Sequence, residues 1–141
     1  MTETIVSAAP AAEPQPQAAV TPALFNTLAL DSKLQQAVAD QGYASMTPIQ
    51  AKAIPIVLAG RDVMGAAQTG TGKTAAFTLP LLQKMLRHEN GSASPARHPV
   101  RALVIAPTRE LADQVALSVK AYARHTQLRS TVVFGGIDMK P

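Results

Sequence analysis

The 141-residue sequence contains no cysteine, so disulfides and thiolate metal sites are excluded. Its three histidines, His88, His98 and His125, are too scattered to suggest a metal cluster. No apolar run approaches the roughly 20 residues that span a bilayer. The N-terminus also lacks the basic-then-apolar layout of a secretion signal. These absences predict a soluble protein with no membrane partner, located in the cytoplasm. Basic residues are missing from the first 22 positions, which carry Glu3 and Glu13 instead. Residues 23–141 therefore hold thirteen basic groups against seven acidic ones. That excess suits a polyanionic partner such as a nucleotide or nucleic acid, and it equally suits simple solubility.

Residues 1–22 are rich in Ala, Pro and Gln, with Pro10, Pro14, Pro16 and Pro22. Such a segment buries too little surface to offset its ordering entropy, and a disordered tail is predicted. Residues 23–141 are long enough for one modest domain with a core. Asp31-Ser32 is a good N-cap pair, and Leu34, Ala37 and Val38 follow at helical spacing until Gly42 stops the helix. Thr47 as N-cap and Pro48 at the first helical position open a second helix, which runs to Ala59-Gly60. Further helices are predicted over residues 72–88 and after Thr108. Three apolar stretches, 62–66, 101–106 and 129–134, read as strands. The second of these, Arg101 to Ala106, is nearly continuous in the manner of a parallel strand covered on both faces. Alternating strands and helices give an α/β fold with a parallel sheet flanked by helices. Ligands in such sheets bind at the carboxyl ends of the strands. Three polar or glycine-rich turns fall there: Gln68 to Thr74, Pro107 to Glu110, and Gly135-Gly136.

Ala67-Gln68-Thr69-Gly70-Thr71-Gly72-Lys73-Thr74 follows one predicted strand and opens a helix, the context of a phosphate-binding P-loop. Its glycines let backbone N–H groups face a polyphosphate, and the positive end of the helix dipole adds attraction. Lys73 would reach the outer phosphates and the Thr74 hydroxyl would help hold Mg²⁺. The strict pattern begins with Gly, where this chain has Ala67.

Taken together, the motifs resemble those of DEAD-box ATP-dependent RNA helicases. Gly42 to Gln50 looks like that family's Q motif, with Phe25 in the place of its isolated upstream aromatic. Ala67 to Thr74 is similar to its phosphate loop, which does begin with Ala. Pro107-Thr108-Arg109-Glu110-Leu111-Ala112 resembles motif Ia, and Gly135-Gly136 the double-glycine RNA contact. The text around Gly60 to Val63 and Arg101 to Ala106 is closest in character to the bacterial RhlE-type members. The likeness runs from residue 24 to 141 and implies the N-terminal part of the first RecA-like domain.

It further implies that Gln50 pairs with the adenine of ATP, with Thr47 adding a hydrogen bond, Tyr43 a stacking face and Phe25 the packing behind them. Lys73 and Thr74 would be the catalytic pair at the phosphates and Mg²⁺. Pro107, Thr108, Arg109, Glu110, Gly135 and Gly136 would grip the RNA backbone without reading sequence. On the residues alone, Tyr43 is equally explained by helix-end packing, Thr47 and Thr108 by capping, Gln50 by a solvated side chain, and Gly135-Gly136 by a plain turn. Arg97, His98 and Arg101 read as solvated loop charges.

Met46 departs from the family's usual Pro. A larger departure is the missing Asp-Glu-Ala-Asp box, which holds Mg²⁺ and orients the attacking water in this family. The Ser-Ala-Thr motif and second domain are also missing, so the chain reads as truncated, with weak nucleotide binding at best, negligible hydrolysis and no unwinding expected. Two other classes fit less of the sequence: a non-catalytic nucleotide- or RNA-binding module, and a fragment of another P-loop NTPase.

Overall fold

The computed structural model describes residues 21–68, 70 and 72–135. The predicted tail lies almost wholly outside these residues, as do Thr69, Thr71 and Gly136.

Four helices form the body: α1 (Ser32–Asp40), α2 (Pro48–Leu58), α3 (Lys73–Met85) and α4 (Arg109–Tyr122). Their boundaries follow local chemistry. Asp31 caps α1 by accepting the Lys33 amide at 2.9 Å. Beyond its end Gly42 sits at φ +77°, Gly42 N donates to Ala39 O (2.9 Å) and Tyr43 N to Val38 O (3.2 Å). This is the pattern of a left-handed glycine stop. Pro48 opens α2 and Gly72 precedes α3, while Thr108 caps α4 through the Leu111 amide at 3.2 Å. Pro55 and Pro80 lie inside α2 and α3, and neither interrupts its helix.

Helix α3 is central. It packs along α2 and against α4, and α4 also meets α1. Leu34, Ile54 and Leu79 are fully buried in one cluster with Phe25, Val38, Leu82 and Tyr122. Thr78, equally buried, satisfies its hydroxyl on Thr74 O at 2.7 Å. Polar ties close the ends of the bundle. Asp31 N donates to Gln83 Oε1 (2.6 Å), and Lys33 pairs with Glu89 just beyond α3. Asp40 receives His125 Nε2 at 2.6 Å and faces Arg124 at 3.6 Å.

The three predicted strands differ from expectation. Among the described residues, 62–66, 101–106 and 129–134 carry no strand assignment, and no backbone hydrogen bond joins one to another. Among the described residues the single bridge is antiparallel, between Leu24 and Ser45. Most of the large apolar side chains of these runs lie open, with Met64 101%, Leu103 79% and Ile105 83% exposed, while Val132 and Phe134 are half-buried. A run patterned for burial on both faces holds its ladder only when neighbours cover both sides. That cover is not found among the described residues. Two side-chain contacts nonetheless link the third run to the chain before and after the second. Arg129 at the start of the third reaches Ser92 O, ahead of the second (2.8 Å). Gly135, just past the third, accepts from Arg109, just past the second (2.8 Å). The two contacts follow the same chain order on both segments, the order that a parallel arrangement has.

Leu79→Ala removes a fully buried side chain from the middle of the core. It should lower unfolding free energy by about 2–5 kcal/mol in urea denaturation. Acid should loosen the end ties. The His125 and then the Gln36 hydrogen bonds hold the Asp40 carboxyl below its ordinary 3.8. Lys33, then the Gln127 amide, hold Glu89 below its ordinary 4.5. Lowered carboxyl values mean stability that is complete above those ordinary values and lost as pH falls through the folded ones. The melting temperature of an Asp40→Asn/Glu89→Gln variant should therefore decline less steeply than wild type over that acid range.

Candidate functional site

The candidate phosphate loop, Ala67 to Thr74, and the start of α2 are joined by one side chain. Gln50, on the first turn of α2, is only 5% exposed. Its Oε1 accepts the Thr47 amide at 2.9 Å, and its Nε2 donates to Gly72 O at 3.1 Å. Gln50 is therefore not a solvated side chain. Thr47 stands in a capping-box arrangement with Gln50. Its own hydroxyl, however, is buried and among the described residues finds no hydrogen-bond partner of ordinary geometry. An orphaned buried hydroxyl is unusual and marks a place where a ligand could satisfy it.

Gly72 permits this contact twice over. Its φ of +79° is a backbone state that side chains resist. A Cβ there would also stand 2.2 Å from Gln50 Nε2 and 3.3 Å from Thr47 Oγ1. Lys73 begins α3 immediately after, and its Nζ turns back to donate to Ala67 O at 2.5 Å, closing the loop on itself. Gly70 also has positive φ, +81°, while Gln68 is exposed and Thr74 half-buried on the first turn of α3.

Phe25 and Tyr43 come together as a pair. The bridge between Leu24 and Ser45, with Phe25 N donating to Ala44 O (3.0 Å) and Met46 N to Ala23 O (2.7 Å), sets their rings 6.5 Å apart, tilted by 31°. Phe25 is buried and Tyr43 is 49% exposed, so the inner ring packs while the outer one keeps a free face. A groove of about 670 Å³ beside them is lined by Leu24, Phe25, Leu30, Gln35, Val38 and Tyr43 among others. It contains neither Thr47 nor Gln50 nor any residue of the phosphate loop. A second concavity, about 420 Å³, lies between α2 and residues 63–67 and reaches Ala67.

The two predicted RNA-contact turns also meet. Thr108 caps α4, and Arg109, its first residue, donates from Nη2 to Gly135 O. Pro107, Thr108, Arg109, Glu110 and Gly135 are all exposed. The loop charges are less free than expected. His98 is half-buried with Nε2 on Ser92 O, while Arg97 and Arg101 stay exposed. Sequence reasoning missed the Gln50–Gly72 bond and the His98 and Asp40 contacts. The Gln50–Gly72 and Asp40–His125 contacts join residues far apart in the chain, the His98–Ser92 contact closes a six-residue loop, and no spacing rule announces any of them.

Two solved structures share this backbone. One is a hypothetical ATP-dependent RNA helicase from Sulfolobus tokodaii, 35% identical with a TM-score of 0.55, covering 67% of this chain and 24% of that one. The other is a DEAD box protein from Methanococcus jannaschii, 31% identical with a TM-score of 0.63, covering 81% and 29%. The helical body with its phosphate loop is thus an incomplete RecA-like helicase domain. More narrowly, the chain belongs to the DEAD/DEAH box helicase family, whose pattern it matches over residues 47–141. The DEAD-box ATP-dependent RNA helicase RhpA of Helicobacter pylori is 44% identical over 116 residues, 82% of this chain and 22% of that protein. The ATP-dependent RNA helicase SrmB of Escherichia coli is 45% identical over 118 residues, 84% and 26%. The chain thus spans about a quarter of the length of these relatives. No helix among the described residues is long and apolar enough to cross a membrane.

Gly72→Ala should displace the Gln50 amide and force a side chain into left-handed backbone, at a cost of about 1–2 kcal/mol. Thermal unfolding compared with Gly70→Ala, whose Cβ would meet open space at a similar φ, isolates the part due to Gln50.

Proposed function

We propose that this chain is the ATP-binding and RNA-contacting portion of a DEAD-box ATP-dependent RNA helicase, of the RhlE-like branch and working in the cytoplasm. The observation that carries this is the Gln50 bridge. The amide has already spent one lone pair on Thr47 and one N–H on Gly72. One acceptor site on Oε1 and one donor on Nε2 are left. Adenine offers the matching pair, an amino donor beside a ring acceptor, whereas guanine offers two acceptors on the same edge. The orphaned Thr47 hydroxyl gives the base a further partner, and the outer face of Tyr43 gives it a stacking surface.

The phosphates fit the other half of the bridge. Ala67 to Thr74, with Thr69 and Thr71 between, would wrap them at the start of α3, where the helix dipole favours anions. Lys73 would exchange the Ala67 carbonyl for a phosphate oxygen, a stronger, charge-assisted partner. Mg²⁺ fits only in part. Thr74 brings one hydroxyl, and among the described residues no cluster of three acidic or histidine side chains could hold a metal. The ion commonly binds through substrate phosphates and few protein ligands, so it would arrive with the nucleotide.

Across the rim, Thr108, Arg109 and the exposed start of α4, with Pro107, Glu110, Gly135 and Gly136, would hold RNA phosphates without reading bases. In a full-length enzyme, ATP would clamp two such domains on RNA and part a short duplex. The sequence holds no acidic box to orient water, so this chain alone would bind without hydrolysing.

Titration with fluorescent ADP and GDP tests the base assignment. Wild type should prefer the adenine nucleotide, and Gln50→Ala should erase the preference, with both ligands binding alike. Equal affinity in the wild-type chain would refute it. RNA-stimulated ATP hydrolysis by residues 1–141 would refute the claim of binding without turnover.

A further inference from the structure

Residues 87–101 carry charges for which the proposed nucleotide and RNA sites have no use. Arg87 Nε donates to His88 Nε2 at 3.1 Å, which makes that ring nitrogen an acceptor. Burial, then the Arg101 and Arg87 charges, hold His88 below its ordinary 6.5, so both guanidinium groups act on one imidazole. Asn90 folds the loop behind them. Its amide donates to His88 O (3.4 Å) and Arg97 O (3.1 Å), and its oxygen accepts the Ser92 amide (3.1 Å). Ser92 O in turn receives both His98 Nε2 and Arg129 Nη2. An imidazole and a guanidinium therefore converge on a single carbonyl.

Arg87, Arg97 and Arg101 on this loop are exposed, as is Arg129, which reaches it through Ser92 O. Glu89 is the only acid between residues 86 and 101, and Lys33 and the Gln127 amide already engage it. The positive charge is uncompensated and is carried by arginines, whose planar forks match phosphate oxygens in pairs. It is spread over two clusters, as a polymer of repeating charge requires. There is also no aromatic platform for stacking bases.

We propose that the loop from Arg87 to Arg101, with Arg129, is a second contact surface for the RNA sugar-phosphate backbone, separate from Thr108 and Arg109. The proposal rests on the reading that this chain handles RNA. Its position suits a longer footprint. The Ser92–Arg129 contact marks one end of the parallel pair of runs, and the Arg109–Gly135 contact the other. A six-residue run spans at most about 20 Å. One strand of RNA could lie along that length and touch both.

The test is fluorescence anisotropy with a labelled oligouridylate, measured across a salt series on the full 141-residue chain. For single strands, the slope of log affinity against log salt changes by about 0.7 per phosphate contact. An Arg87→Gln/Arg97→Gln/Arg101→Gln variant should lose about 2 from that slope. The matching triple lysine variant should keep it, and both should melt as wild type does. If wild type binds RNA and the glutamine variant keeps its slope, this surface is not a contact, and the wider RNA reading stands. If wild type binds no RNA at any salt, both fall. If the glutamine variant weakens binding of a polyglutamate peptide as strongly as that of RNA, the patch is a general anion site and the proposal fails.

Discussion

The contact between Gln50 and the Gly72 carbonyl constrains everything around it. It requires the second glycine of the phosphate loop to approach within hydrogen-bond distance of an α2 side chain, which only a residue without a Cβ permits. It also requires α2 and α3 to lie side by side, as they do. A base held at Gln50 and phosphates held at the loop would then be tied by one buried amide. Disturbing either end moves the other, because the amide has no slack: it is bonded on both atoms and almost fully buried.

The rest of the body keeps those two helices in place. Among the fully buried residues, Leu34 and Val38 come from α1, Ile54 from α2, and Thr78 and Leu79 from α3. Polar ties at the periphery stop the helices from sliding: Asp31 to Gln83, Lys33 to Glu89, and Asp40 to His125. All three tie α1 to what it packs against, the end of α3 and the turn after α4. Surface ion pairs contribute little individually. Their effect here is on geometry, since each bridges distant parts of the chain.

The features proposed to contact RNA divide by the same logic. Thr108 and Arg109 are set by the start of α4, and Gly135 by the end of the last apolar run. A single guanidinium–carbonyl bond draws the two turns together. At the other end of those runs, the loop gathers arginines around Asn90 and Ser92. Two contact surfaces on one parallel pair would let a domain hold a strand along its length.

By itself the sequence determined the helices and the candidate site residues. Capping residues, prolines at first turns and stopping glycines act locally, so α1, α2 and α4 fall where the pattern puts them. Gly-Lys-Thr at a helix start is likewise local, because phosphate binding depends on a short run of backbone. The strands were legible as apolar runs, but a ladder is a relation between distant segments. The described residues cover these runs only in part, so most of their large apolar side chains lie exposed. Tertiary structure alone decided that Gln50 is buried and bonded to Gly72, that the Thr47 hydroxyl is left over, and that Arg109 meets Gly135. Each of these joins residues whose separation in the chain carries no periodic signal. Only packing brings them within reach.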